Sequence, residues 1–324
     1  MNFTTPTDPA FHAADRTIRA HYPGIRCFLL AQHGQMRHEQ YFQQSLPAVL
    51  HDLRSATKSV LSILLGIAQY QELLPELDKP VWDDVKEYAP SRPDSYWPEM
   101  TLRQLLSMTG GLYWQTGPKL GERFIHRLHR SKNWTGFVLR LPVIPEQLGH
   151  FQYCSAYSHL LACLLSKWSG TPVRDYADRY LFSPLEIKDY HWETAPDGGA
   201  CGHVGLYMKA IDMMKLGQLC LAGGTFRGNR LLHEEWLHES MTPRGEAFSE
   251  YGQYGYHWWT SEFHGLRYAY AHGHGGQQIY VLPELEAVAV FASACNVKRC
   301  KNPKRLMEEQ ILPVLLADRG TGSE

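Results

Sequence analysis

The segment that most constrains the fold is residues 59–68, Ser-Val-Leu-Ser-Ile-Leu-Leu-Gly-Ile-Ala, which predicts a helix that is apolar on nearly every side. A helix without a polar stripe has to be buried all round. The chain has 324 residues, enough for one large domain or two closely joined ones, so it can supply that cover. We therefore predict a helix from Ser55 to Tyr70 at the centre of the fold.

Apolar and alternating stretches near both ends of the chain predict antiparallel strands. Near the N-terminus, Ile25–Ala31 and Met36–Phe42 flank the turn His33-Gly34-Gln35, a pattern typical of a hairpin. An amphipathic helix is predicted over Pro303–Leu316. Before that helix, four stretches predict adjacent strands: Tyr254–Thr260, Arg267–Gly273, Gln278–Leu282 and Ala287–Ala292.

The region between these strands is predicted to be helical and rich in loops. Helices are expected over Thr101–Ser107, Ser158–Trp168 and Asp212–Leu221, each followed closely by glycine. This order indicates an α/β (α+β) sandwich, in which a largely antiparallel sheet is flanked by helices. We predict a sheet domain of residues 1–75 and 200–324 and a mainly helical inserted domain of residues 76–199. The functional site should lie in the cleft between them.

Charge and composition exclude several classes of function. The chain has 32 Lys and Arg against 33 Asp and Glu, so no global field would recruit nucleic acid or an anionic membrane. No apolar run approaches the ~20 residues that cross a bilayer, and no signal peptide is visible. The 7 cysteines show no regular spacing. We expect a cytoplasmic protein (periplasmic if a leader has been removed) whose partner is a small molecule, and we leave its oligomeric state open.

Ser55-Ala56-Thr57-Lys58 is the one Ser-x-x-Lys sequence in the chain. On a helix, residues i and i+3 are neighbours, so the Lys58 amine would lie beside the Ser55 hydroxyl. The free N–H groups at a helix start favour an alkoxide, and a buried, neutral lysine can take the serine proton. The motif alone leaves open the alternative that Ser55 is a helix cap and Lys58 a solvated residue.

Two later segments carry further groups that suit acyl transfer. Tyr153-Cys154-Ser155 precedes a predicted helix, so Tyr153 is a candidate second proton carrier. Gly273-His274-Gly275-Gly276-Gln277 opens a predicted strand, where glycines let a substrate approach the main chain closely. A core tyrosine and a β-bulge are the structural alternatives.

Taken in chain order, these segments resemble the serine β-lactamase-like superfamily. That group includes class C β-lactamases, D-alanyl-D-alanine carboxypeptidases, related esterases and 6-aminohexanoate-dimer hydrolases, and its signature joins S-x-x-K to S-D-N and K-T-G. The resemblance extends from about Gly24 to Ala317. The stretch Gly275–Glu284 is most similar to the 6-aminohexanoate-dimer hydrolase branch. The other matching stretches are Leu53–Val60, Thr101–Leu112, Phe182–Ile187 and Gly205–Gly224.

The resemblance implies a role for each catalytic candidate. Ser55 would be the nucleophile and Lys58 its first base. Tyr153 would be the tyrosine of the family's Tyr-x-Asn motif, although Tyr157 is a rival for that position. No metal and no organic cofactor are implied, and catalysis would proceed through an acyl-enzyme.

The resemblance also implies a substrate-binding set. Ser155 stands where the family has asparagine, and His274-Gly275-Gly276 stands where it has Lys-Thr-Gly. The oxyanion hole would be formed by the backbone N–H groups of the nucleophile and of Gln277.

These substitutions predict the substrate class. Histidine is mostly neutral above pH 7, and glycine lacks the threonine hydroxyl, so His274 and Gly275 would hold an anionic β-lactam weakly. We predict hydrolysis of small esters or amides, with weak or absent β-lactamase activity. The alternatives are a β-lactamase or a D-Ala carboxypeptidase-type penicillin-binding enzyme, and a non-catalytic ligand-binding homologue. No metal site is predicted, because the pairs His126-x-x-His129 and His272-x-His274 lack the H-E-x-x-H pattern.

Overall fold

The structure, a computed structural model, describes residues 7–244, 248–297 and 300–321. The strands are β1 (Ile25–Gln32), β2 (Gln35–Tyr41), β3 (His51–Asp52), β4 (Gly110–Leu112), β5 (Val143–Leu148), β6 (Tyr190–Trp192), β7 (Leu206–Met208), β8 (Thr225–Phe226), β9 (Asn229–Arg230), β10 (Gln253–Tyr254), β11 (Trp259–Phe263), β12 (Leu266–Gly273), β13 (Gln277–Leu282) and β14 (Ala287–Ser293). The α-helices are α1 (His12–His21), α2 (Thr57–Tyr70), α3 (Trp82–Val85), α4 (Leu102–Ser107), α5 (Ile125–Arg130), α6 (Trp134–Val138), α7 (Ser155–Ser169), α8 (Val173–Ala177), α9 (Ala210–Leu221), α10 (Glu234–Ser240), α11 (Lys304–Leu306) and α12 (Leu312–Thr321).

The main sheet is antiparallel and takes its strands from both ends of the chain. Within the described residues its order is β10-β11-β12-β13-β14-β1-β2, so the first and last strands of the chain meet at β1 and β14. Helices pack against it, which confirms the predicted fold class. The position of a boundary between two domains stays a prediction. No helix in the described part of the chain is long and apolar enough to cross a membrane.

The predicted central helix is present and starts slightly later than expected. Every residue of α2 from Thr57 to Ala68 is buried, as its all-round apolar pattern requires. Arg54–Ala56 forms a 3₁₀ turn ahead of it, so Ser55 lies on that turn rather than in the α-helix. The turn places Ser55 where its side chain is only partly buried.

One predicted strand is wrong. The stretch Tyr254–Thr260 is broken between β10 and β11, because Gly255 is pressed against the main chain and His257 has a left-handed φ of 63°. A Cβ added at Gly255 would lie 2.1 Å from the Ser240 carbonyl oxygen. The hairpin near the N-terminus is confirmed, with β1 and β2 close to the predicted bounds.

His257 connects three elements that surround the site. Its Nδ1 lies 3.0 Å from the Leu106 carbonyl just inside the end of α4, and its Nε2 lies 2.8 Å from the Ser158 hydroxyl on α7. A carbonyl can only accept, so Nδ1 carries the proton and Nε2 accepts from Ser158. Ser59 on α2 donates to the His257 carbonyl at 2.7 Å. Burial lowers the pKa of His257 to about 3, which keeps the ring neutral.

Candidate active site

The main chain bends sharply at the residue before Ser55. Arg54 has a φ of 50°, a left-handed conformation that is costly for a residue with a Cβ. The side chain of Asp52 holds it there by accepting from the Arg54 backbone N–H at 2.9 Å and pairing with its guanidinium at 2.8 Å. Backbone strain that the surroundings enforce in this way is common at functional sites.

Lys58 lies beside Ser55 in a dry environment. It is 1% exposed, and its Nζ is 3.2 Å from the Ser55 Oγ and 3.4 Å from the His203 carbonyl oxygen. Burial lowers the pKa of Lys58 to about 8, although the nearby carboxylate of Glu122 acts in the opposite direction. A neutral amine is therefore accessible at mildly alkaline pH, and it can take a proton from the serine hydroxyl.

Tyr153 completes a compact group with Ser55 and Lys58. The Lys58 Nζ is 4.7 Å from the centroid of the Tyr153 ring, and the ring stacks on Trp259 at 5.8 Å. Burial raises the pKa of Tyr153 well above its usual range, although a hydrogen bond with Ser55 partly opposes the shift. The phenol therefore stays protonated and has a proton to donate at the site.

The rival tyrosine occupies a different place. The Tyr157 hydroxyl accepts a hydrogen bond from the Leu112 backbone N–H at 3.0 Å, so it packs against β4. A Cβ added at Gly110 would lie 2.7 Å from the same hydroxyl. Tyr157 thus has a structural role under β4.

Ser155 is bound to a carboxylate that the sequence did not single out. Its backbone N–H and its hydroxyl both donate to Glu122, each at 2.6 Å, and the Trp114 indole donates to the same carboxylate at 2.6 Å. The charge of Glu122 raises the pKa of both Lys58 and Tyr153. Glu122 lies between short elements without periodicity or motif, so no local signal could have identified it.

The predicted Lys-Thr-Gly equivalent lies in the turn between β12 and β13. His274 is exposed there, and Gly275 and Gly276 have φ values of 90° and 101° that suit only glycine. Gln277 is buried, and its side-chain amide donates to the Ser293 carbonyl and accepts from the Ser293 N–H on β14. The Gln277 side chain thus secures this turn to the neighbouring strand.

The end of β12 contacts the nucleophile turn directly. A Cβ added at Gly273 would lie 2.0 Å from the Leu53 carbonyl oxygen, so only glycine allows this approach. The last pair that joins β11 to β12 is Trp259 with Tyr270. Among the described strands, none pairs with the outer edge of Ala271–Gly273. A short length of free strand edge therefore lies next to the nucleophile turn.

A cavity opens beside this strand end. Its volume is about 610 Å³, within the range of small-molecule pockets, and Tyr251, His272 and His274 are among its lining residues. The ring of His272 is buried, which lowers its pKa to about 3, and its Nδ1 accepts from Gln278 at 3.0 Å. His272 is therefore a neutral group with its proton on Nε2.

The two members of each histidine pair noticed in the sequence have different contacts. His129 contacts His203 at 2.9 Å, whereas His126 is exposed, and buried His272 is followed by exposed His274. Across residues 7–244, 248–297 and 300–321, no group of three or more His, Cys, Asp or Glu side chains could hold a metal ion.

The whole fold has counterparts among known proteins. The 6-aminohexanoate-dimer hydrolase of Paenarthrobacter ureafaciens is 24% identical over an alignment 290 residues long, gaps included, that covers 82% of this chain and 72% of that protein. The candidate 6-aminohexanoate-dimer hydrolase of Bacillus anthracis superposes with a TM-score of 0.74 and 18% identity over 92% of this chain and 79% of that chain. The D-stereospecific amidohydrolase of a Streptomyces species does so with a TM-score of 0.71 and 16% identity over 94% and 99%. The sequence profile of the family described as Beta-lactamase matches residues 14–308, and because that match spans most of the chain, the protein belongs to the Beta-lactamase family.

Proposed function

We propose that this protein is a serine hydrolase that forms an acyl-enzyme on Ser55. The observation that carries the proposal is the contact of 3.2 Å between the Ser55 hydroxyl and the amine of Lys58, a buried lysine whose pKa is lowered to about 8. A buried lysine next to a partly exposed serine at a strained turn is the arrangement that activates a nucleophile.

The reaction has two covalent steps. As Ser55 Oγ bonds to the substrate carbonyl carbon, neutral Lys58 takes the hydroxyl proton, and protonated Tyr153 supplies a proton to the departing alcohol or amine. Water then cleaves the acyl-serine ester, and the same groups move protons in the reverse direction. Backbone N–H groups would bind the oxyanion: that of Ser55 and a second from the turn that begins beyond Gly273. The sequence-based candidate for the second donor is Gln277, and the close approach of Gly273 to Leu53 favours an N–H nearer to that glycine.

Replacement of Ser55 by alanine tests the mechanism. Ser55→Ala should abolish hydrolysis of p-nitrophenyl butyrate and labelling by a fluorophosphonate probe. Since α2 has no side-chain cap at its start, little stability should be lost, and circular dichroism should show an unchanged fold and melting temperature. Turnover or labelling of the Ser55→Ala protein at near-normal rates would remove the proposal, and labelling without turnover in the parent protein would favour a non-catalytic binder.

Small neutral esters or amides are the proposed substrates, with weak or absent β-lactamase activity. Support comes from His274, which stands at the family's lysine position and lies exposed in a turn, so a histidine replaces the permanent cation that would hold a β-lactam carboxylate. The loss of charge-assisted hydrogen bonds, worth about 1.5–3 kcal/mol each, predicts at least a tenfold handicap. The relatives named as amide hydrolases make linear amides the first alternative to esters.

The ratio of kcat/KM for nitrocefin to that for p-nitrophenyl butyrate, measured at pH 6 and pH 8, tests this specificity. The ratio cancels the titration of Lys58, which lowers both rates in acid. We expect a ratio below about one tenth at pH 8. A ratio above one at pH 8 would mean that another cation replaces the lysine, and a ratio that rises only at pH 6 would implicate protonated His274.

A further inference from the structure

The segment between β6 and β7 brings a backbone acceptor to Lys58. His203 is fully buried, and its carbonyl oxygen is 3.4 Å from the Lys58 amine. Next to it, a Cβ added at Gly202 would lie 2.2 Å from the Ser158 carbonyl oxygen, so this segment is pressed against α7. A carbonyl accepts but cannot donate, so it receives one N–H of the amine. The lone pair of neutral Lys58 is then free for the Ser55 hydroxyl.

The imidazole of His203 is paired with a second histidine at the surface. The Nε2 atoms of His203 and His129 are 2.9 Å apart, and the two rings stack with centroids at 5.2 Å. Trp134 packs against both, at 5.1 Å from His129 and 5.4 Å from His203. His129 is exposed at the end of α5, so the pair links an accessible residue to the segment that carries the buried carbonyl.

The direction of the hydrogen bond between the rings follows from burial. The Nδ1 atom of His203 is buried and has no hydrogen-bond partner among the described residues. A proton there would be an unsatisfied buried donor, which proteins avoid more strictly than an unsatisfied acceptor. Burial also lowers the pKa of His203 well below its usual range, so the ring is neutral. Its single proton therefore sits on Nε2, and His129 is the acceptor.

We propose that the His129–His203 pair is a positioning device that holds the His203 carbonyl against the amine of Lys58. This inference rests on the proposed function, in which Lys58 is the base. His129 anchors the ring, the ring fixes the buried segment, and the carbonyl of that segment turns the lysine lone pair towards Ser55. His129 and His203 act through Lys58 and are positioning residues.

Protonation of His129 breaks the pair. A doubly protonated ring has no acceptor atom, so it can no longer receive the proton of His203 Nε2. Partial desolvation of the His129 ring, of which one side packs on His203 and Trp134, and neighbouring positive groups lower the pKa of His129, so the pair is intact at neutral pH. Below the pKa of His129, protonation of His129 adds to the protonation of Lys58. The acid limb of the pH profile of kcat should then be steeper there than a one-proton titration. The charged and titratable groups that face the pair are Lys58 on α2, Arg54 on the nucleophile turn, His126 on α5, Glu193 after β6, and His159 on α7 with its partner Asp197.

The test compares two replacements of His129. His129→Gln keeps an acceptor at similar reach but cannot be protonated, whereas His129→Leu removes the acceptor. We expect His129→Leu to lower kcat for p-nitrophenyl butyrate about tenfold or more, since a small misplacement of a catalytic group is costly, while KM changes by less than about twofold. His129→Gln should keep kcat at pH 8 and return the acid limb to a one-proton slope. His126→Leu, on the same helix and also exposed, is the matched control for the rate and should keep the parent kcat at pH 8.

Three outcomes would overturn the inference: a normal kcat in His129→Leu, equal losses in the leucine and glutamine variants, or an effect on KM alone. The first means that positioning is not needed, the second that the imidazole itself acts, and the third that His129 contacts substrate. An active Ser55→Ala protein would overturn the proposed function instead. An inert Ser55→Ala protein with a normal His129→Leu protein would overturn the positioning role alone.

Discussion

The site has two walls, a helical wall and a sheet wall, and they present different chemical groups. On the helical side, Lys58 and Tyr153 are 1% and 2% exposed, and the charge of the Glu122 carboxylate acts on both. On the sheet side, the end of β12 and its turn present glycines, free main chain and the exposed ring of His274. Reactive side chains need burial to shift their pKa values, whereas a backbone donor needs only a fixed position. In the proposed mechanism, chemistry and recognition are thus divided between the walls.

The largest effect should come from the helical wall. Lys58→Ala and Tyr153→Phe should each lower kcat by about 10²–10⁴-fold, because each removes a proton carrier. The double variant should lose far less than the product of the two, since the groups work as one unit. Tyr157→Phe is the matched control, because among the described residues its hydroxyl bonds to the main chain of β4. If Tyr157→Phe is crippled and Tyr153→Phe is active in steady-state kinetics, the assignment of the two tyrosines is reversed.

The sheet wall should respond through shape rather than charge. Gly273→Ala places a methyl group 2.0 Å from the Leu53 carbonyl oxygen, so β12 and the nucleophile turn must move apart. We expect a loss of about 1–3 kcal/mol in unfolding free energy and a fall of about 10- to 100-fold in kcat/KM, with no change in the shape of the pH profile. Gly199→Ala is the control, because no atom of the described residues lies within 4 Å of a Cβ added there. Urea titration and ester kinetics measure both quantities, and an unaffected Gly273→Ala protein would show that the close approach is dispensable.

The smallest effect is expected from a substitution in the helical wall that removes a charge and keeps the shape of the side chain. Glu122→Gln keeps one oxygen that accepts from the Trp114 indole and the Ser155 N–H, and its amide NH2 can donate to the Ser155 hydroxyl. The substitution removes the negative charge that raises the pKa of Lys58. The pKa of Lys58 should fall, so more neutral amine is present below pH 8 and the acid limb of kcat/KM moves to lower pH. At pH 7 the rate should rise roughly two- to fivefold. Glu146→Gln, which removes an exposed charge from β5, should leave the profile unchanged, and a shift to higher pH in Glu122→Gln would contradict the electrostatic role.

Sequence patterns within single elements predicted the helices and strands whose structure depends mainly on nearby residues. The apolar run of residues 59–68 identified a buried helix, and the β1–β2 hairpin follows from its alternation and turn. The stretch Tyr254–Thr260 was misjudged, because its strand propensity is overridden by the contact of Gly255 with Ser240 and by the conformation of His257. Tertiary contacts of this kind leave no periodic trace in the sequence.

The residues of the site fall into the same two groups: those predicted from nearby sequence and those placed by tertiary contacts. Ser55 and Lys58 share one turn of chain, so their spacing alone predicts their contact, and Tyr153 followed from motif order. Glu122 and His203 reach Lys58 only because distant segments fold over it, and neither carries a motif. Their roles depend on burial and on a main-chain carbonyl, which a one-dimensional pattern cannot express.

The pairing of β1 with β14 determines when during synthesis this protein can work. Ile25 pairs with Ser293, so the middle of the sheet closes only after residue 293 has left the ribosome. Until then the β1–β2 hairpin is a two-stranded unit, which is marginal in water. The turn that carries Ser55 also lacks its contact with Gly273 until β12 has been made. We expect no active nascent fragment that ends before β14, and the apolar surface of β1 stays exposed until that strand has been made.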